Sequence, residues 1–181
     1  MSDGKPPRHV VLVGFMGTGK STVSRRLAEL LACGTRDVDA EIVKREGEEI
    51  AAIFAGRGEG EFRAAETEAL RAVLGAEDAL VVATGGGAVL SPINRELMVQ
   101  RGFVVALTAD PEQVIARVSQ DPDRPLLQGD VRQRVYKLLE DRKGAYDFAH
   151  LTIDTTSLSV DEVVERIAQA ISRFRTSQHS I

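Results

Sequence analysis

The sequence predicts an α/β domain in which helices flank a parallel sheet. Three observations carry that reading. Short all-apolar runs recur at residues 10–13, 80–83 and 103–107, the composition of strands covered on both faces. Segments with helical spacing follow them. Glycine, aspartate and proline stand at the junctions, and strands alternating with helices close into a parallel sheet with right-handed crossovers. At 181 residues the chain accommodates one domain, read here as 1–181.

In chain order, the run VVLV at 10–13 is the first strand. Val23, Leu27, Leu30 and Leu31 then give residues 20–31 a helical period. TRDVD at 35–39 is expected as a second strand. Residues 40–79 form a long, charged helical stretch where one crossover helix would suffice, with a glutamate-rich helix beginning at Phe62-Arg63. LVVATGGG at 80–87 repeats the opening pattern of apolar run and glycines. After the strand at 103–107, Asp110 is placed as N-cap, Pro111 at the first helical position and Gln113 as the third member of a capping box. SQDPDRPLLQGD at 119–130 holds two prolines, a glycine and three aspartates, which suits a mobile loop. A last strand covers 151–153, and its helix opens at Ser159 with Glu162 three residues on. Residues 1–8 and 175–181 are expected to be disordered.

Composition narrows the function. With 43% apolar and 28% charged residues this is an ordinary globular chain. A net charge of −4 supplies no basic field, so nucleic acid is not expected as a partner. Cys33 is the single cysteine, which excludes an internal disulfide and suits a reducing compartment. No apolar stretch reaches membrane-spanning length and MSDGKPPRH has no signal-peptide core, so a cytoplasmic location is expected, with no membrane partner.

The segment GFMGTGKS, residues 14–21, fits G-x-x-x-x-G-K-S/T in full. Glycines let successive backbone N–H groups converge on anionic oxygens, and the helix that follows adds its positive end. Lys20 reaches the outer phosphates of a nucleotide and the Ser21 hydroxyl can ligate Mg²⁺. The guanine signature Asn-Lys-x-Asp is absent. The strand before TGGG also lacks a terminal aspartate, so another group must assist the metal.

In an open parallel sheet the loops leaving the carboxyl ends of the strands share one crevice. The glycine loop, Asp37-Val38-Asp39, Gly85-Gly86-Gly87 and the proline-rich loop are therefore expected to converge. In extended backbone Asp37 and Asp39 fall on one side: one to hold a magnesium water near Ser21, the other to accept a proton from an attacking hydroxyl. Three glycines at the end of a strand allow a ligand to lie against bare backbone. Arg63 and Arg142 are candidates for substrate contact. Arg124, in the proline-rich loop, is better placed to meet charge on a transferring phosphoryl group.

With these pieces in place the sequence resembles the shikimate kinases over about residues 10–171. GFMGTGKST, DVDAEI, IFAGRGEGEFRAAETEAL, ATGGGAVL, RPLL and RKGAY stand in that family's order. The resemblance implies a P-loop NTPase-type three-layer fold, like that of the nucleoside-monophosphate kinases, with a five-stranded parallel sheet. Its core would be 9–37, 68–116 and 132–174, with a shikimate-binding insertion at 38–67 and a lid at 117–131. It implies transfer of the γ-phosphoryl group of ATP to the 3-hydroxyl of shikimate, a step toward chorismate and the aromatic amino acids. By that likeness Gly17, Thr18, Gly19, Lys20, Ser21 and Thr22 hold ATP, and Ser21 with Asp37 serves Mg²⁺. Asp39 is the base candidate, and Arg63 and Arg142 grip the shikimate carboxylate beside Gly85, Gly86 and Gly87. Arg124 contacts phosphates and Arg117 lies near adenine. Shikimate bears one carboxylate and several hydroxyls, which two arginines and an aspartate match. A monomer is expected. The chain departs from many relatives at Glu48 and Glu49, which bring extra negative charge to the insertion, and at Val160, where some relatives have proline beside adenine. The rival readings are another small-molecule kinase, for gluconate or a nucleoside monophosphate, and a non-enzymatic ATP-binding module. The paired aspartates, the triple glycine and EFR oppose the first. Lys20, Asp39 and Arg124 together oppose the second.

Overall fold

The computed structural model describes residues 7–120 and 129–178. Its strands are β1 (His9–Gly14), β2 (Gly34–Asp37), β3 (Leu80–Ala83), β4 (Gly102–Thr108) and β5 (Leu151–Asp154). They form one sheet in the order β2-β3-β1-β4-β5, every pairing parallel. The apolar runs become its three inner strands. Val11 of β1 is in register with Val82 on one side and Val104 on the other.

Side chains of a strand alternate between faces, so a run that is apolar throughout serves two cores. Val11 and Val13 pack on one face against Ala69, Leu70 and Val73 of α3 (Ile50–Leu74) and Met98 of α4 (Pro92–Arg101). Val10 and Leu12 pack on the other against Leu27 of α1 (Lys20–Leu31) and Val163, Ile167 and Ile171 of α7 (Val160–Gln178). Two helical layers around one parallel sheet are the architecture the sequence predicts. Each fully buried Val, Leu or Ile stabilises it by about 1.5–3 kcal/mol. The remaining helices are α2 (Val38–Glu46), α5 (Pro111–Val118) and α6 (Val131–Asp141), with a short 3₁₀ turn, Ala88–Leu90, after β3.

Several boundaries differ from the sequence reading. The second strand ends at Asp37, because the Asp37 carboxylate accepts from the Ala40 N–H at 3.2 Å and caps α2. Asp39 therefore stands in the first turn of a helix, not in extended backbone. Phe62 and Arg63 do not begin their helix. α3 starts at Ile50 and is broken at Gly58 (φ 86°, ψ 170°), a conformation only glycine adopts readily. The Asp110 carboxylate caps α5 through the Glu112 N–H. Gln113 completes no box, because its amide nitrogen donates instead to the Thr156 carbonyl. At Ser159 the box does form in both directions, with Glu162 Oε2 2.7 Å from the Ser159 nitrogen. Residues 175–178 are helical, not disordered, since α7 runs to Gln178 and its Phe174 ring packs 5.0 Å from that of Phe103. Glu48 and Glu49 are exposed, and Glu48 lies 3.5 Å from Arg57.

At the amino edge of β1, His9 is 2% exposed and its Nε2 donates to the Leu74 carbonyl across 3.2 Å. Its Nδ1 is buried with no hydrogen-bond partner among the described residues. Burial holds the imidazole below its ordinary 6.5, and Arg8 and Arg101 add to the depression. A depressed histidine stabilises the fold in its neutral form. That contribution is whole above the unfolded value near 6.5 and is lost as the pH falls through the lower folded value. Thermal unfolding at pH 7.5 and pH 5 should therefore show His9→Gln gaining on the parent chain as the pH falls. A difference between the two that ignores pH would refute this reading of His9.

Candidate active site

β1 delivers the chain to its carboxyl edge at Gly14, and α1 begins at Lys20. Gly17 and Gly19 between them have φ of 74° and 91°, left-handed values that turn the backbone N–H groups inward. Helix α1 has no side-chain cap and no acidic residue in its first turn, so its positive end is left for an external anion. Lys20 Nζ donates to the Gly14 and Phe15 carbonyls at 2.7 and 2.8 Å, which parks the cation over the loop. Thr18 Oγ1 donates to the Phe15 carbonyl at 2.7 Å and closes the turn. From α5, Arg117 Nη1 donates to the Gly17 carbonyl at 2.7 Å.

A cleft of about 490 Å³ opens along this loop. Gly17, Thr18, Gly19, Lys20, Ser21 and Thr22 line it, and so do Asp37, Asp39, Gly85, Gly86, Arg117 and Val160. Residues far apart in sequence thus converge on one sheet edge. Asp39 reaches it although it is helical, because the first turn of α2 lies directly after the end of β2. Ser21 Oγ donates to Asp37 Oδ2 at 3.4 Å, so two hard oxygen donors adjoin beside the phosphate loop.

Gly85 and Gly86 line the cleft, and the turn they begin runs on to Gly87, which with Arg63 and Arg142 lies beside the cleft and outside its lining. A Cβ at Gly85 would stand 3.0 Å from Asp39 Oδ1 and 3.1 Å from Glu66 Oε2. At Gly86 it would stand 3.0 Å from Arg142 Nη1, and at Gly87 2.6 Å from Arg63 Nη1. Each glycine is therefore the floor under a charged group that the sequence singled out. Arg142, at the end of α6, is 4% exposed, and its Cζ sits 5.4 Å from the centre of the Phe15 ring. Its Nε and Nη1 have no hydrogen-bond partner among the described residues. Arg63 pairs with Glu66 at 2.9 Å and with Glu59 at 3.4 Å.

Two participants escaped the sequence reading. Glu66 is fully buried beneath Arg63. Burial pushes its carboxyl above the ordinary value, the Arg63 charge pulls it down, and Asp39 adds to the rise. One signal for it was a position three residues after Arg63, the same helix face. Tyr146 donates its hydroxyl to the Gly86 carbonyl at 2.7 Å. Burial raises its phenol, against the pull of Arg142 and Arg63. Arg124 lies outside the described residues, as does most of the proline-rich loop.

Comparison with known proteins identifies the family of the chain. Residues 16–172 match the family model for shikimate kinase. The shikimate kinase of Geobacter metallireducens is 50% identical over 161 residues, covering 88% of this chain and 89% of the relative. That of Pelotomaculum thermopropionicum is 47% identical over 161 residues, 88% of this chain and 93% of the relative. A solved shikimate kinase from Acinetobacter baumannii, in complex with shikimate, superposes with a TM-score of 0.87 at 41% identity, over 92% of this chain and 94% of that one. The chain belongs to the shikimate kinase family and is a phosphotransferase with an alcohol group as acceptor.

Proposed function

We propose that the phosphate-loop half of the cleft holds ATP and that the half around Arg63, Arg142 and Asp39 holds shikimate. The reaction is transfer of the γ-phosphoryl group of ATP to the 3-hydroxyl of shikimate, giving shikimate 3-phosphate and ADP, a step of chorismate and aromatic amino-acid biosynthesis. One observation carries the division. Arg142 is a buried guanidinium with unpartnered nitrogens, held by bare glycine backbone beside the phosphate loop. Buried donors left without acceptors cost free energy, and an incoming carboxylate would supply acceptors to Nε and Nη1.

Arg142 and Arg63 bind the shikimate carboxylate. Arg63 is already half-neutralised by Glu66, so it serves as an oriented donor more than as a net charge. Asp39, at the start of α2 and against Gly85, holds the ring hydroxyls and accepts the proton of the attacking one. Backbone N–H groups of residues 17–22 receive the phosphates. Lys20 exchanges its two loop carbonyls for phosphate oxygens. Arg117 lies at the outer end of the loop, where adenine would extend toward Val160. Arg124 is assigned to phosphate contact on the family likeness alone.

Magnesium fits the donor set. A hydroxyl and a carboxylate 3.4 Å apart are hard oxygen ligands, and Mg²⁺ takes one or two such groups with waters and substrate phosphates. Ser21 and Asp37 would hold it, and the ion would neutralise charge on the β- and γ-phosphates. Among the described residues no helix is long and apolar enough to cross a membrane. We take the enzyme to work in the cytoplasm, where ATP is supplied, and as a monomer, since each chain carries both halves of the cleft.

A coupled ADP-release assay offering shikimate, quinate, gluconate and AMP tests the substrate. Turnover is expected with shikimate, and equal turnover with gluconate or AMP would overturn the assignment. Arg63→Ala removes a charge-assisted contact worth about 1.5–3 kcal/mol, so KM for shikimate should rise roughly ten- to a hundredfold while KM for ATP holds. Gly87→Ala should do much the same at little cost in Tm, because its methyl meets the movable end of Arg63 and not backbone. An unchanged shikimate KM in either variant sinks the carboxylate assignment. Asp39→Asn should lower kcat by about 10²-fold or more if the carboxylate takes the proton. A loss of only a few-fold, with the pH–rate profile intact, would leave Asp39 as an orienting group.

A further inference from the structure

The arginine pair is held against the glycine floor, and something must fix the gap between them. Helix α3 carries Arg63, and the chain after Gly87 leaves through the 3₁₀ turn Ala88–Leu90 into α4. One buried polar side chain joins these elements. Asn94 is 1% exposed at the start of α4. Its Nδ2 donates to the Ala88 carbonyl at 2.9 Å, and its Oδ1 accepts from Thr67 Oγ1 at 2.8 Å. A carbonyl can only accept, so the contact with Ala88 fixes which way the amide faces and leaves Oδ1 for Thr67. Thr67 is one helical turn after Arg63, and its Oγ1 also lies 3.2 Å from the Arg63 carbonyl. The single Thr67 hydroxyl proton goes to the shorter contact, Asn94 Oδ1, so the path runs from Arg63 along α3 to the Thr67 hydroxyl, the Asn94 amide, the Ala88 carbonyl and Gly87.

We propose that Asn94 is a positioning residue for shikimate binding: through Thr67 on one side and the Ala88 carbonyl on the other, it sets the gap between the Arg63 guanidinium and Gly87. The inference rests on the reading of Arg63 as a carboxylate ligand. Its physical basis is the tightness of that gap. No room for a methyl exists between Gly87 and Arg63, so a shift of a few tenths of an ångström in either element moves the guanidinium. An apolar residue at 94 would fill the same volume but tie neither partner. It would also leave the buried Ala88 carbonyl without its donor. Neighbouring carbonyls of the same turn are held from elsewhere, Gly86 by Tyr146 and Val89 by Arg95 at 2.7 Å each. The turn also packs Ala88 and Val89 against apolar side chains of α3, and the Asn94 side chain adds a directional hydrogen-bonded link between the two.

The test measures KM for shikimate, KM for ATP, kcat and Tm in Thr67→Val, Thr67→Ser and Asn94→Leu, each also combined with Arg63→Ala. Thr67→Val keeps the shape and removes the donor. From the usual worth of one hydrogen bond it should raise KM for shikimate about two- to tenfold, and Asn94→Leu, which breaks two, should raise it more. KM for ATP should stay within about twofold in both, and Thr67→Ser, which keeps the hydroxyl, should match the parent chain. In the Arg63→Ala background Thr67→Val should add almost nothing, because the residue it positions is gone. If Asn94→Leu does not fold, Thr67→Val and its rescue by serine decide the matter alone. The proposal fails if shikimate and ATP constants rise together, if neither moves, or if the full effect persists without Arg63. An Arg63→Ala enzyme with unaltered shikimate KM would instead overturn the carboxylate reading beneath it, and the two failures are thereby told apart.

Discussion

Three missing side chains set the geometry of this cleft. At Gly85, Gly86 and Gly87 the backbone of the turn after β3 lies against Asp39 and Glu66, Arg142, and Arg63 in succession. A Cβ at any of the three would enter space that a charged group occupies. This is a packing constraint before it is a chemical one, because a methyl at any of the three would make the charged side chain above it give way. The charged groups can approach one another only because the strand that separates them ends in bare backbone. The rest of the structure serves that approach. α2 aims Asp39, α3 carries Arg63 and Glu66, and α6 ends at Arg142.

Electrostatics explains why the acidic members do not cancel the site. Glu66 is buried and its carboxyl lies above the ordinary range, driven up by burial and held partly in check by Arg63. Its partner is specific, at 2.9 Å, and the pair gives Arg63 a direction. Arg142 has the Phe15 ring on one face and a glycine floor, and its Nε and Nη1 find no acceptor among the described residues. One guanidinium is thus pre-oriented by its ion pair, and the other keeps two buried nitrogens without acceptors among the described residues. A planar carboxylate answers both, since it accepts in-plane hydrogen bonds from a fork of donors.

Much of this was legible in the sequence, and the exceptions have physical causes. Strands that are buried on both faces must be apolar throughout, so β1, β3 and β4 declared themselves. β2 is an edge strand of mixed composition, GTRD, and its end was misjudged because Asp37, still paired with Ala83, turns its carboxylate to cap α2, so Val38 and Asp39 are already helical. The glycine loop was readable because its chemistry is local, one strand end and one helix start. The acceptor side was readable only as fragments, since Arg63, Gly85–Gly87 and Arg142 meet through the fold and not through spacing. Glu66 looked like one more glutamate among Glu59, Glu61 and Glu68, although its place between Phe62 and Leu70 at helical spacing put it on the buried face of α3. The tail was misread because its polar composition hid Phe174, which docks on Phe103 and His150 and keeps α7 helical to its end.

The two halves of the cleft meet at one residue. A Cβ on Gly86 would stand 3.0 Å from Arg142 Nη1, 3.3 Å from the Met16 nitrogen and 3.5 Å from the Gly14 carbonyl oxygen. Gly86 is therefore the spacer between the Arg142 guanidinium and the phosphate loop, with Tyr146 holding its carbonyl at 2.7 Å. Phosphoryl transfer has little covalent chemistry for a protein to perform, so rate comes from positioning and charge stabilisation. A hydroxyl must sit about 3–3.5 Å from phosphorus and in line with the leaving oxygen, and a misplacement of about 1 Å costs on the order of a hundredfold. A methyl group at the spacer would push Arg142 and the start of the phosphate loop apart by a few tenths of an ångström.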